Sequence, residues 1–483
     1  PFNNNPKDIF ALIKLFQVPA KSTIQTIDNL SLRFKDLIKK YNKLKKLKGT
    51  GVPDKEVKAE INKFAEKIKD LLGPLLIRRS RIDLQNINIY REDLKLQGIE
   101  FPEIEKPINI KYEFGEYKKL YIDTLLQIVP GDQAKGFKGA RYNVIGYIND
   151  LEKIEKIAKN LNIDPKLIQK TQKNLASFMK RLLVHRFESS IMAFKKTLNK
   201  MILSYETVKK WYEKGFVPIY KKGDLPDLEE FENDDGDEVI EKINEIYEIY
   251  EEKGMELIKA DDLSDEYIKD LNSDIKLLKE IKIQWEIFEP KKDPKIEEVK
   301  KQLRDSFEKN PARKIIVFSM YSDTIDYLYE QIKDDFKVFK YSSETSTSAN
   351  KEIIKKNFDA GYNNQVNDFE LLLATDVISE GYNLNRAGII INYDIPYNPT
   401  RVIQRVGRIN RINKKIFPKL YIYNFFPSPT GEVETGVKRI STLKIDVIKA
   451  LLGDDTKYLS EDEILKSYDE KLKEEMNQTE EES

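Results

Sequence analysis

The stretch that most constrains this chain runs from Phe369 to Arg411, FELLLATDVISEGYNLNRAGIIINYDIPYNPTRVIQRVGRINR. Its two apolar runs, Leu371–Ala374 and Ile389–Tyr393, are each long enough for a strand buried on both faces. The first run exits into Thr375-Asp376 and Ser379-Glu380-Gly381, a polar loop with one glycine. The second exits into Asp394, a turn and Asn398-Pro399, which reads as a helix N-cap followed by proline at the first helical position. The helix beyond carries Gln404, Arg405, Arg408 and Arg411. At about 100° per residue, Gln404, Arg408 and Arg411 fall within roughly 60° of one another, while Val402, Ile403 and Val406 point elsewhere and can hold the helix to a sheet. One amide and two guanidinium groups thus gather above loops at the carboxyl ends of buried strands, the edge at which open α/β sheets bind ligands. Guanidinium suits a planar, many-oxygen anion such as phosphate. Two arginines at this spacing alone describe many basic surface helices. Two buried strands with polar exits ahead of them make the pattern specific.

ATDVISEGYNL resembles motif V, and QRVGRINR motif VI, of superfamily-two helicases; the wording is closest to SWI/SNF-type ATPases, especially their prokaryotic members. The resemblance implies an α/β RecA-like lobe, a parallel sheet with helices on both faces, that works on ATP with Mg2+. By match, Arg408 and Arg411 take the catalytic, phosphate-contacting role. Gln404, Gly407, Gly381 and Asp376 are the matching ATP-binding candidates, and Thr375, Ser379 and Ser343 the nucleic-acid-binding ones. Asn385 stands where many members have glutamine, and no role is carried to it. The Mg2+ would be held mainly by a first lobe.

At 483 residues the chain exceeds a single core of about 250–300, so two or three domains are expected. Its 83 Lys and Arg nearly cancel its 82 Asp and Glu, so any nucleic-acid surface must come from local segregation of charge. Without cysteine there is no disulfide framework and no thiolate metal site; one histidine, His185, excludes histidine-clustered metal chemistry. No apolar run reaches the roughly 18 residues of a membrane span and no signal peptide is visible, so a cytoplasmic protein without a membrane partner is expected.

Along the chain, Asn5 and Pro6 start an amphipathic helix through Phe16. By resemblance this segment follows motif III, and the phosphate-binding loop and acidic metal-binding motif of a first lobe are expected to lie outside these residues. Gly131–Lys138 and Asp237-Glu238 imitate those two motifs, but Phe137 stands where the loop lysine belongs and no apolar strand precedes the acidic pair. Helices are predicted over Ile24–Leu47 and Asp54–Leu72, followed by the basic turn Arg78, Arg79 and Arg81, which is either solvated or close to the cleft. PINIKYEF, 107–114, alternates as a strand crossing between lobes. From 115 to 290 the pattern is helical, including one long helix from Asp164-Pro165 through LLVHRFESSIMAFKKTLNKMI, with Leu182, Phe187, Ile191, Phe194 and Leu198 facing a core and His185 packed or at the surface. RFESSIMAFKKTL also resembles a phrase of the prokaryotic SWI/SNF-like proteins. Residues 227–256 are strongly acidic and read as a solvated face or a surface that recruits a basic partner. Between 291 and 440 strands alternate with helices, which implies a parallel sheet with right-handed crossovers, and KIIVFSMYSDT resembles motif IV. A helical acidic tail, 441–483, follows.

Residues 1–114 then read as the tail of a first motor lobe, 115–290 as a helical insertion and 291–440 as the second RecA-like lobe. The expectation is the C-terminal motor lobe of an ATP-dependent translocase on double-stranded DNA, inactive by itself because the phosphate loop lies elsewhere. An alternative is a non-catalytic module whose helical insertion binds a protein or nucleic acid. Another keeps the ATPase as the motor subunit of a restriction or defence system.

Overall fold

The computed structural model describes residues 6–15, 18, 29–47, 54–72, 84, 86–112, 114–129, 136–161, 164–220, 255–379, 381–396, 398–411 and 416–426. Arg78, Arg79, Arg81, Glu380, most of the acidic run and the tail from 441 lie outside them. The helices are α1 (Pro6–Ile13), α2 (Leu30–Leu47), α3 (Asp54–Leu72), α4 (Asn88–Leu96), α5 (Lys118–Ile128), α6 (Leu151–Leu161), α7 (Pro165–Ser189), α8 (Ile191–Glu213), α9 (Asp265–Gln284), α10 (Pro294–Lys309), α11 (Ser322–Ile332), α12 (Ser348–Phe358) and α13 (Pro399–Ile409). The strands are β1 (Glu103–Ile104), β2 (Ile108–Ile110), β3 (Phe216–Tyr220), β4 (Met255–Lys259), β5 (Lys314–Phe318), β6 (Val338–Tyr341), β7 (Leu371–Ala374), β8 (Ala387–Asn392) and β9 (Lys419–Phe425).

The lobe expected from the strand and helix alternation is present. Its sheet runs β1-β9-β8-β5-β7-β6, with β2 also on β9, and every pairing is parallel. Each residue of β5, β7 and β8 is buried, as their unbroken apolar runs require. Alternate side chains serve two cores. Ile315 and Val317 pack with Ile296, Val299 and Leu328 on one face, and Ile316 and Phe318 with Ile354, Val406 and Ile409 on the other. Helices α10 and α11 thus cover one side, and α12 and α13 the other. The segment read as a crossing between lobes is drawn into this sheet, where Ile108 pairs with Tyr423 and Ile110 with Phe425.

A separate core joins α5 to α9, with Tyr121, Phe187, Phe194, Tyr205, Leu271 and Trp285 among its members. Two features depart from the sequence expectation of an almost wholly helical region. Strands β3 and β4 form an antiparallel pair in which Val217 faces Ile258. The long helix is broken at Ser190, whose backbone is extended (φ −156°, ψ 148°) and whose Oγ accepts from Ala193 N at 3.1 Å. Serine caps the second helix because its hydroxyl satisfies an N–H that has no carbonyl partner. The core-facing residues Leu182, Phe187, Ile191, Phe194 and Leu198 are all buried, before and after that break. Helices α2 and α3 form a hairpin with its own core of Phe34, Leu37 and Tyr41 against Phe64 and Ile68.

Candidate functional site

Helix α13 starts as its sequence requires: Asn398 Oδ1 accepts from Thr400 N at 3.1 Å, and Pro399 occupies the first turn. Val402, Val406 and Ile409 are buried. Arg405 lies in the same angular stripe and is fully buried, so its charge must be met inside the protein. Nε and Nη2 donate to the two carboxylate oxygens of Asp376 at 2.5 and 2.7 Å, Nη1 donates to Asn392 Oδ1 at 2.8 Å, and the guanidinium lies 5.0 Å from the Phe318 ring centre. One side chain therefore ties α13 to the exit of β7 and to the end of β8.

Arg408 and Arg411 converge from the other side of α13. Arg408 Nη1 and Arg411 Nη2 both donate to the Tyr382 carbonyl, at 3.2 and 3.1 Å. Arg411 lies beyond the end of the helix, which closes at Ile409 with Asn410 as C-cap. Arg411 Nε is buried and has no hydrogen-bond partner among the described residues. Gln404 is half-buried, and its carbonyl accepts from Arg408 Nε at 3.4 Å. Gly407 is half-buried and faces open space where a side chain would stand. Gly381, next to Tyr382, has φ +77°, a left-handed backbone that glycine adopts without strain. Two guanidinium groups, half-buried and within reach of one oxygen, make a small corner against the segment between β7 and β8, with donors of the kind that suit an anion.

The structure places the other candidates differently. Both oxygens of Asp376 accept from Arg405, which holds α13 to the exit of β7. Thr375 and Ser379 are buried, with Ser379 N donating to Asp376 O at 2.8 Å, whereas Ser343 is exposed. Asn385 Oδ1 accepts from Ala360 N at 2.9 Å and braces the loop after α12. Among the described residues no cluster of three metal-ligating side chains exists, and the corner offers guanidinium donors to anions. These residues do not fit a resident Mg2+.

Arg405 has no role among the sequence expectations, although an arginine inside an apolar helical stripe is itself a signal of a buried carboxylate partner. Asp394 likewise has none. Asp394 Oδ2 accepts from Ser319 Oγ and from Ser189 Oγ at 2.6 Å each, Oδ1 accepts from Met320 N at 2.7 Å, and the Asp394 carbonyl accepts from Arg405 Nη1 at 3.4 Å. Around it, Ser189 and Ser190 hydroxyls meet Thr324 at 2.9 and 3.0 Å, Arg186 pairs with Asp323, and His185 Nδ1 meets Tyr321 Oη at 2.6 Å. Lys295 Nζ donates to the Glu188 and Ser189 carbonyls at 2.8 and 2.9 Å, closing the end of α7, and burial holds its pKa down at about 8. The helical region therefore docks on the lobe through buried polar groups just past the end of β8, next to Arg405.

Residues 294–413 match the helicase conserved C-terminal domain. The lobe is thus similar to the conserved C-terminal domain of helicases, and the match ends just past Arg411. Relatives are similar over part of the chain. An uncharacterized ATP-dependent helicase, YqhH, of Bacillus subtilis is 35% identical over 85 residues, 18% of this chain and 14% of that protein. Eukaryotic initiation factor 4A of Dictyostelium discoideum is 28% identical over 114 residues, 23% of this chain and 26% of that one. The matched stretch thus spans about a quarter or less of these relatives. Among solved structures, the Pyrococcus furiosus Hef helicase domain is 16% identical with a TM-score of 0.36, covering 77% of this chain and 64% of that one. Among the described residues no helix is long and apolar enough to cross a membrane.

Proposed function

We propose that this helicase C-terminal domain is the second motor lobe of an ATP-dependent translocase of the SWI/SNF type, in its prokaryotic branch, acting on double-stranded DNA. The convergence of Arg408 and Arg411 on one oxygen, the Tyr382 carbonyl, is the observation that carries this reading. A γ-phosphate oxygen brought to that corner by a first lobe replaces the carbonyl as acceptor for both guanidinium groups. Charge that develops on the phosphoryl oxygens during transfer is then met by two fixed cations, and an arginine so placed is worth about 10³–10⁵ in rate. Gln404, Gly407 and Gly381 line the nucleotide side; Asp376 acts on it through Arg405. Ser343 and the turn carrying Thr375 and Ser379 face the nucleic acid, whose contacts are to phosphates and hence salt-dependent.

The phosphate-binding loop and the Mg2+ ligands belong to a first lobe, so the 483 residues alone have no turnover. The test is ATP hydrolysis by the full-length protein with and without duplex DNA. Turnover that rises with duplex supports the motor reading; the absence of any turnover overturns it in favour of an interaction module.

A further inference from the structure

Helix α2 concentrates positive charge in a chain that is otherwise balanced. It carries seven Lys and Arg against the single Asp36, whereas the whole protein has 83 basic and 82 acidic residues. The side that packs on α3 is apolar, through Phe34, Leu37 and Tyr41. Lys35, Lys39 and Lys43 recur every fourth residue on the outer side and are exposed; successive members of such a row stand about 6 Å apart along the axis. Among the described residues none of the three has an ion-pair partner. Asp36 is taken up by Lys40. The neighbouring α3 is balanced in charge, with five lysines against five acidic residues, but its Lys67 lies beside Lys40, whose ammonium holds the Lys67 pKa below its ordinary value.

We infer that the outer face of α2 is a nucleic-acid backbone contact, with Lys35, Lys39 and Lys43 each meeting a phosphate. The inference rests on the reading that nucleic acid is the lobe's ligand, and adds a contact surface outside the lobe. A row of point charges on an apolar-backed hairpin recognises a polyphosphate by charge and reads no bases. Such a contact releases counterions, so each lysine contributes about 0.9 to the slope of log affinity against log salt.

The experiment is fluorescence anisotropy of an end-labelled mixed-sequence duplex, about 20 base pairs long so as to span roughly two helical turns, titrated with the protein over a series of salt concentrations. The combined variant Lys35→Gln, Lys39→Gln, Lys43→Gln is compared with the matched removal of three exposed lysines on α9, Lys269→Gln, Lys276→Gln, Lys282→Gln. The α2 variant is expected to bind at least about tenfold more weakly at low salt with a slope shallower by about 2 to 3, and the α9 variant to stay within about twofold of wild type. Replacing the three α2 lysines by arginine is expected to keep the affinity. Equal losses in the α2 and α9 variants, or unchanged duplex binding by the α2 variant, overturn the inference. Loss of binding to a polyglutamate peptide with duplex binding retained overturns it in favour of an acidic protein partner. A wild-type protein that does not bind duplex at low salt overturns the nucleic-acid reading itself, which is a separate failure.

Discussion

The Arg405 guanidinium closes on both carboxylate oxygens of Asp376, and neither residue is more than 6% exposed. The pair joins the exit of β7 to α13, the helix from which Arg408 projects. Breaking a buried, bidentate ion pair from one side leaves an uncompensated charge and costs about 3–5 kcal/mol. Arg405→Ala and Asp376→Ala are each expected to lower stability by that amount in chemical denaturation. Together they are expected to cost much less than the sum of the two, since the second removal discharges the orphaned partner.

Ser189 gives the same logic at the docking surface. Its hydroxyl is one of three donors to the Asp394 carboxylate, and both groups are buried. Ser189→Ala removes one donor without opening a large cavity. A loss of about 1–3 kcal/mol is expected, and amide hydrogen exchange is expected to quicken at Met320 and along 393–395. Unchanged exchange there would show that the helical region does not brace the β8 exit.

His185 carries the pH dependence. Burial pushes its pKa down from 6.5 to about 4, opposed by Asp394 and assisted by Lys295 and Arg186. Between those values the unfolded chain binds the proton and the folded one does not, so stability falls as pH drops from about 6.5 to 4 and is level in this respect above. It is the only histidine in the chain, so one imidazole signal reports the titration by nuclear magnetic resonance. A midpoint near 4 is expected; a midpoint near 6.5 would mean that the ring is solvated and the docking surface open.

Gly381 tests the loop that carries the Tyr382 carbonyl. Its φ of +77° is strained for any side chain, while the space around it is open. Gly381→Ala is therefore expected to cost about 1–2 kcal/mol by conformation alone, and Gly381→Asn less, because asparagine tolerates this region. Equal costs would point to a clash that the open surroundings do not contain.

Much of the lobe was legible because its signals are local. Unbroken apolar runs at 371–374 and 389–393 specify strands covered on both faces, and Asn398-Pro399 specifies a helix start. Helical angles put Arg408 and Arg411 on one side, and both reach the Tyr382 carbonyl even though Arg411 lies just past the helix; Gln404 joins them only through its backbone carbonyl. What was missed depends on partners distant in sequence. Arg405 and Asp376 are 29 residues apart, and Ser189 and Asp394 are 205 apart. No periodicity reports a pairing of that range. Thr375 and Ser379 read from the sequence as loop hydroxyls open to a ligand, yet both are buried, in a turn whose Ile378 belongs to the core of the lobe. The break at Ser190 was hidden by apolar residues that continue the helical period across it.

The central claim is that the arginine corner acts on ATP. The most direct measurement is the ATP turnover of full-length protein carrying Arg408→Ala, with duplex DNA present and folding checked by circular dichroism. The expected result is a fall in kcat of about 10³-fold or more with the fold intact. Turnover equal to that of the wild type would contradict the claim and leave the Arg408 and Arg411 guanidinium groups as braces of the Tyr382 loop.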